Sequence, residues 1–402
     1  MRTGWKQQKL GEVCDFLNRG ISPKYLNDGG ICVLNQKCVR DHTVNYELSR
    51  RHNSKTKVVS KERFVRVGDV LVNSTGTGTL GRVAQVREEP DEPTTVDSHV
   101  TIVRPKPGMF HLDFFGYMLT VIEDAIKEAG EGCGGQTELA RSVLADRFSV
   151  SYPTALHEQQ RIVGILDEAF DGLTRATANA EQNLRNARAL FESHLQSVFT
   201  QRGKGWVEKR LDQVCTFSSG STPSKSKRSY WSGEIPWVSG RDMKSTQLSD
   251  SLLHISRSAV DESSTRMAPA GTLLILVRGM GLAHGAQIAE LMVPCAFNQD
   301  IRAIHPEPDL IPRYLLFALR DRINLSGNVL SSAAHGTLKI DSDELKSVMI
   351  PVPSRGHQQR VVATIDSFSE ETQRLESIYQ QKLAALGELK KSLLHQAFSG
   401  AL

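Results

Sequence analysis

The chain has 402 residues, of which 39% are hydrophobic and 23% charged, with a formal net charge of +4. That balance fits two or three folded domains and excludes the disordered, collagenous and disulfide-scaffold classes. No apolar run reaches the ~18 to 20 residues of a membrane-spanning helix. The start, MRTGWKQQKL, lacks the apolar stretch and cleavage site of a secretory signal, so a cytoplasmic location with no membrane partner is expected. A pI near 8.7 is mildly basic, and a polyanion would have to be met by local patches. The six cysteines (Cys14, Cys32, Cys38, Cys133, Cys215, Cys295) form no C-x-x-C pair and no zinc spacing, and are read as reduced and structural.

The chain is written twice. WKQQKLGEVCDF, from Trp5 to Phe16, returns as WVEKRLDQVCTF from Trp206 to Phe217, and each copy soon reaches a small polar turn ending in Pro23 or Pro223. Val67-Gly68-Asp69-Val70-Leu71-Val72 has its counterpart in Ala270-Gly271-Thr272-Leu273-Leu274-Ile275, and each leads to a glycine-rich turn, Gly76-x-Gly78 and Gly279-x-Gly281. EQQRIV from Glu158 matches HQQRVV from His357. A constant offset of about 200 residues marks duplication of a whole unit rather than a solenoid.

Within each copy, residues 1–155 and 204–354 are short β-branched runs broken by Gly, Pro, Ser and Asn, with helical pieces at Phe114 to Ala129 and Pro312 to Ile323. This predicts a compact α/β or α+β domain. Residues 156–203 and 355–402 instead carry apolar positions three or four apart, the pattern of one stripe on a long helix. The stripe runs through Ile162, Leu166, Leu173, Leu184 and Leu195, and again through Val361, Ile365, Leu375, Leu383 and Leu394; Thr372 and Lys390 break it. A helix of about 43 residues is roughly 64 Å long and must bury its stripe on another helix. The nearest equivalent is its twin, so the two helices are expected to pair as an antiparallel coiled coil with the globular parts related by a pseudo-twofold axis.

Two catalytic readings have features of the sequence against them. Gly76-Thr77-Gly78-Thr79-Leu80-Gly81 satisfies the dinucleotide fingerprint G-x-G-x-x-G. A Rossmann site needs a helix to follow, whereas Arg82 to Val86 alternates like a strand, so a glycine-rich hairpin turn is expected. Asp97-Ser98-His99 contains pieces of a hydrolase triad, but adjacent strand residues point to opposite faces and the second copy reads Asn298-Gln299-Asp300. There is no Walker loop, no H-E-x-x-H and no amino-methyltransferase tetrapeptide. His157 and His357 are read as polar residues at helix starts.

The polar loops are more informative, because hydroxyl, amide and cationic side chains hydrogen-bond base edges and phosphates. The first copy offers Arg19, Ser22, Lys24, Tyr25, Gln36, Lys37, Asn73, Ser74, Thr75 and Thr77. The second offers Thr222, Ser224, Lys225, Lys227, Tyr230, Ser239, Arg241, Lys244 and Arg278 at equivalent places. The copies diverge here while the scaffold agrees, which suggests two related readers of different targets.

With these features in order, the chain resembles the specificity subunit of type I restriction-modification systems over essentially its whole length. The likeness rests on the repeated W-x4-L-x2-V start, the segment from Gly68 to Gly81, Tyr152-Pro153 and Pro351-Val352-Pro353 before the helices, and the paired Q-Q-R openings. It implies two target recognition domains separated by two long antiparallel helices, each domain reading one part of a bipartite double-stranded DNA target. It further implies that the helices dock two modification subunits, which carry S-adenosylmethionine and methylate adenine at N6. Restriction subunits using ATP and Mg would join them, and this chain would bind no cofactor and no metal and would be non-catalytic. A related type II system would look the same. The alternatives are a stand-alone DNA-binding or coiled-coil scaffold protein, and a nucleotide-binding enzyme using Gly76 to Gly81.

Overall fold

The computed structural model describes residues 4–133, 136–201, 205–325, 330–332 and 338–402. It divides into two compact units, Met1–Glu181 with Gln381–Leu402, and Gln182–Gln380. In chain order the first unit has strands β1 (Trp5–Lys9), β2 (Cys14–Arg19), β3 (Ile31–Leu34), β4 (Val70–Asn73), β5 (Val83–Gln85), β6 (Thr94–Val96) and β7 (Val100–Pro105). Helices α1 (Leu112–Val121) and α2 (Glu123–Glu128) follow, then β8 (Ser149–Pro153) and the first part of the long helix α3 (Leu156–Thr200).

The central sheet is antiparallel in the order β2-β7-β4-β5. Every residue of β4 and β7 is buried, so both faces of the sheet are covered. Alternation assigns the faces. Val70, Val72 and Val103 enter a core with Phe114 and Phe115 of α1, while Leu71 and Ile102 enter a second core with Cys32, Leu34 and Val96. The latter belong to a smaller sheet in which β6 runs parallel to β3. The repeated Trp opens β1, which pairs antiparallel with β8, Trp5 opposite Pro153.

The second unit repeats the frame. It contains β9 (Val207–Arg210), β10 (Cys215–Ser219), β11 (Ile235–Val238), β12 (Leu273–Leu276), β13 (Ile288–Leu291), β14 (Cys295–Phe297), β15 (Ile301–Pro306), α4 (Pro312–Leu325), β16 (Met349–Val352) and part of α5 (Arg355–Ser399). Its main sheet has the order β10-β15-β12-β13, extended by Gln247–Leu248. β11 pairs parallel with β14, and β9 pairs antiparallel with β16.

One helix expectation needs correction. The piece expected as a single helix from Phe114 to Ala129 is two, α1 and α2, broken at Ile122, whose φ of -92° and ψ of 4° leave the helical range.

The repeated glutamine of the Q-Q-R motifs has a structural explanation. Gln159 is fully buried at the start of α3; its Oε1 accepts from the backbone N of His111 at 2.8 Å, and its Nε2 donates to the carbonyls of Met109 and Pro153 at 3.2 and 2.8 Å. Gln358 repeats this on Ile311, Asp309 and Pro353. Each side chain thus satisfies backbone groups before α1 or α4 and ties the long helix to its own α/β domain.

Inside each unit the two long helices run antiparallel. In the first, Arg161 donates to the carbonyl of Leu402 at 3.2 Å, and the Lys390 ammonium lies 5.4 Å from the Phe170 ring. In the second, Arg188 pairs with Glu376 at 3.0 Å and the rings of His194 and Phe368 are 4.2 Å apart. The stripe is not buried by helix pairing alone. Ile162, Leu166 and Leu394 lie in the core that contains α1, while Leu195, Ile365 and the half-buried Val361 join the core around β12 and α4. Leu173, Leu184 and Leu383 are half-buried. Leu375 is 38% exposed, contrary to its place in the stripe, whereas Thr372 is buried with its hydroxyl donating to the Phe368 and Ser369 carbonyls of its own helix.

A buried ion pair of the first unit has a different counterpart in the second. In the first unit Arg104 donates two hydrogen bonds of 2.7 Å to the Asp69 carboxylate, and also reaches the carbonyls of Glu62 and Phe64 at 3.1 and 2.8 Å. The register that sets Val103 opposite Val70 sets Ile304 opposite Leu273, so the equivalent pair is Thr272 and His305, which meet at 3.3 Å. An ion pair in one copy is a neutral pair in the other. Burial holds the His305 imidazole below its ordinary value.

Candidate nucleic-acid interface

Strand direction gathers the polar loops. β2 and β4 end, and β5 and β7 begin, at the same edge of the antiparallel sheet. The parallel pair β3 and β6 ends there too, since Ile21 bridges Asp97 and the Asp97 N–H donates to the Leu34 carbonyl at 2.9 Å. The loops after residues 19, 34, 73 and 96 therefore converge.

The glycine-rich turn is a β-hairpin, as the strand after it predicted. β4 and β5 pair antiparallel around it. Gly76, Gly78 and Gly81 all have positive φ. Gly81 is the position that requires glycine, because a Cβ there would meet the backbone of Lys127 at 2.7 Å. No helix follows the turn, so the geometry of a Rossmann pyrophosphate site is missing. Asp97 accepts from the backbone N of His99 at 2.9 Å, so no acid–imidazole relay forms with that ring. The ring instead meets the Thr75 hydroxyl at 2.7 Å, and Thr75 accepts from Gln36 Nε2 at 2.6 Å. The result is a linked row of amide, hydroxyl and imidazole at the sheet end.

Each candidate residue now has a place. Gln36 and Thr75 are brought together, and Ser22, Lys37 and Thr77 are exposed on the same loops. Asn73 and Ser74 are corrected: both are buried, Asn73 donating to the Gln36 carbonyl at 3.1 Å and Ser74 meeting Thr101, so they pin the loop from beneath. Arg19 is paired with Glu138 at 2.7 Å and donates to the Leu139 carbonyl at 2.8 Å. Lys24 and Tyr25 stand apart from the row; Tyr25 faces His52, level with the start of β3, and the Arg50 guanidinium lies 3.9 Å from its ring centre.

In the second unit Thr222 donates to Gln299 at 2.6 Å, and the Val277 N–H donates to the Asp300 carbonyl at 2.8 Å. Ser239 is half-buried and fixed by Asp242 at 2.8 Å. Ser224, Lys225, Arg241, Lys244 and Arg278 are exposed. Tyr230 is corrected: it is buried with Trp237 and Ile255, and its hydroxyl donates to Glu262 at 3.1 Å. Lys227 is paired with the same carboxylate at 2.5 Å and lies 4.1 Å from the Tyr230 ring centre.

The sequence reading missed His99 and Gln299, which complete the two rows. Their signal was positional: they sit three and two residues after the strands that parallel β3 and β11, within the corresponding segments Asp97-Ser98-His99 and Asn298-Gln299-Asp300.

At the opposite end of the first sheet, after β5, lies an exposed acidic stretch containing Glu88, Glu89 and Asp91, with Glu92 paired to Arg51 at 2.5 Å. The five described cysteines whose side chains are placed are free and buried. Burial pushes the equivalent thiols of Cys14 and Cys215 up to about 12, which leaves them unreactive. The Cys133 side chain lies outside the described residues. Among the described residues no group of three or more His, Cys, Asp or Glu side chains could hold a metal ion, and no helix is long and apolar enough to cross a membrane.

Two copies of one α/β frame, each with a row of polar loops at one sheet end and each tied by a glutamine to a long helix, define an internally duplicated recognition protein. Comparison with known proteins gives the kind. Residues 2–185 and 203–384 match the model of the type I restriction modification DNA specificity domain, and the chain belongs to that family. It is 34% identical over 211 residues to the EcoR124I/EcoR124II specificity subunit of Escherichia coli, covering 52% of this chain and 51% of that protein. It is 29% identical over 171 residues to the MjaIX specificity subunit of Methanocaldococcus jannaschii, covering 42% and 38%. The match thus spans about half or less of the length of these curated relatives.

Solved structures share the fold across the whole chain. The HsdS subunit from Thermoanaerobacter tengcongensis matches with a TM-score of 0.59 at 19% identity, covering 100% of this chain and 98% of that one. A chain from a study of complex assembly and conformational transition of the type I R-M system matches with a TM-score of 0.81 at 19% identity, covering 100% and 99%.

Proposed function

We propose that this chain is the DNA-reading specificity subunit of a type I restriction-modification complex. Each α/β unit reads one part of a bipartite double-stranded target, and the long helices dock two adenine-N6 methyltransferase subunits. The observation that carries the reading is the paired row of loops, Gln36, Thr75 and His99 in one unit and Thr222 and Gln299 in the other, on matching frames with different side chains. Amides and hydroxyls of this kind read base edges in the major groove, and the exposed Lys37, Arg241, Lys244 and Arg278 supply the phosphate contacts. S-adenosylmethionine, and ATP with Mg for restriction, belong to the partner subunits in this reading, and the complex works in the cytoplasm.

The test is an exchange of residues 204–354 for those of a homologue with another target, followed by genome-wide mapping of methylated adenines. One part of the recognised sequence changes and the other stays. A change in both parts, or in neither, refutes independent readers. Labelled methyl transfer by the highly purified chain alone would refute the non-catalytic role.

A further inference from the structure

We propose that Met280 is a base-reading residue of the second unit, packing its thioether against the 5-methyl group of a thymine in the major groove. The inference rests on the DNA-reading function above and adds a named contact to it.

Met280 is 70% exposed, equal to Leu252 and below Val58 among the exposed large apolar side chains of the described residues. It opens a short turn, Met280–His284, between Gly279 and Gly285, whose φ values of 143° and 99° shape the loop. Leu282 is 1% exposed and anchors the turn, so the exposure of Met280 is not that of a loose loop. The turn lies on the reading edge. Cβ atoms built at Gly240 and Gly281 would each lie 3.2 Å from the Leu276 side chain, so the loop carrying Arg241 and the loop carrying Met280 converge over that residue. Arg278 precedes it and bridges Lys339, and the segment from Val277 to Gln287 contains no acidic residue. That segment itself therefore presents no carboxylate to a phosphate-lined groove.

Chemistry then narrows what an apolar tip can meet. Thr77 fills the same G-x-G position in the first unit, and its hydroxyl can take part in hydrogen bonding with a base edge. Met280 offers no donor and only a weak acceptor. Among the groups base pairs display in the major groove, the thymine 5-methyl is the apolar one. A methionine, unbranched and polarizable, adapts to it without fixed geometry.

The experiment uses the chain assembled with its methyltransferase subunits and the target fixed by methylation mapping. Thymines in the part read by the second unit are replaced one at a time by uracil, which removes only the methyl group, and affinity is measured for wild type, Met280→Ala and Thr77→Ala. Wild type should lose about fourfold in affinity at one thymine, the worth of one buried methyl group. Met280→Ala should bind thymine and uracil alike at that position, and Thr77→Ala should keep the wild-type discrimination. Uniform tolerance of uracil by wild type, a target part without thymine, or discrimination retained by Met280→Ala would each overturn the proposal. A distortion of the duplex that depends on Met280 but not on the methyl group would also overturn it, in favour of a wedge between base steps. Failure of the assembled complex to prefer its mapped target at all would instead refute the DNA-reading function.

Discussion

Removing the Asp69 carboxylate should destabilise the first unit far more than removing both members of its buried ion pair. Arg104 is 7% exposed, and in Asp69→Ala its guanidinium would lose both 2.7 Å hydrogen bonds while staying charged. Breaking a buried pair in this way costs about 3–5 kcal/mol. Because Arg104 keeps the carbonyls of Glu62 and Phe64, the lower end, about 3 kcal/mol, is expected. The double substitution Asp69→Thr with Arg104→His installs the neutral pair that the second unit uses at Thr272 and His305. It should lie within about 1 kcal/mol of wild type, a coupling of roughly 2 kcal/mol or more. Native-state hydrogen exchange resolved by peptide mass is the assay. Amides of β4 and β7 should open about a hundredfold faster in Asp69→Ala and return nearly to wild type in the double variant, with β12 and β15 of the second unit as unchanged controls. Strict additivity of the two single substitutions would refute the reasoning.

Gln358→Leu strips partners from the N–H of Ile311 and the carbonyls of Asp309 and Pro353, and should cost about 2–3 kcal/mol in the second unit, read as faster exchange in α4 and at the start of α5. Arg241→Ala should lower the slope of log affinity against log salt by about 0.9, the signature of one lost phosphate contact. Lys227→Ala, whose ammonium is held by Glu262, should leave that slope unchanged in the same filter-binding series. Burial pushes the Asp321 carboxyl from 3.8 up to about 6, so the folded protein holds that proton more tightly than the unfolded chain does. The second unit therefore loses stability from this group as pH rises from about 4 through 6 and loses no more above that. Asp321→Asn should be more stable than wild type at pH 7 and should lack this slope, as measured by denaturant titration across the window.

The duplication was legible because it rests on backbone-determining residues. Trp5 and Trp206, the G-D-V and G-T-L strand starts and the two Q-Q-R openings fall at equivalent places in both frames. Helix periodicity was legible at Ile162, Leu166, Leu195 and Ile365, where the apolar side chain also lands on an α/β core. It failed at Leu375, which is exposed, and at Thr372, whose buried hydroxyl is satisfied by its own helix and so obeys no hydrophobic pattern. Inside the loops, composition could not separate residues that hold a loop from residues that present it. Asn73 and Ser74 belong to the same polar run as Thr75 and Thr77, yet the first two are buried, held by the Gln36 carbonyl and the Thr101 hydroxyl. Tyr230, set among basic residues, has the composition of a stacking platform, but Trp237 and Ile255 bury its ring. His99 was read only as a piece of a hydrolase triad, because its place in the row comes from a long-range contact with Thr75.

The acidic stretch after β5 gives the first unit a polarity that matters before any contact forms. In the proposed DNA-reading role, with carboxylates at one end of the sheet and the polar loops at the other, a phosphate backbone would be repelled by one end and tolerated by the other, and the resulting torque would turn the unit loop-first during the encounter. The effect reaches about a Debye length, roughly 8 Å at physiological salt, so it belongs to the last step of approach. Neutralising Glu88, Glu89 and Asp91 should then slow capture at low ionic strength while leaving the dissociation rate alone, because in the proposed reading those exposed side chains stand at the end of the sheet away from the DNA.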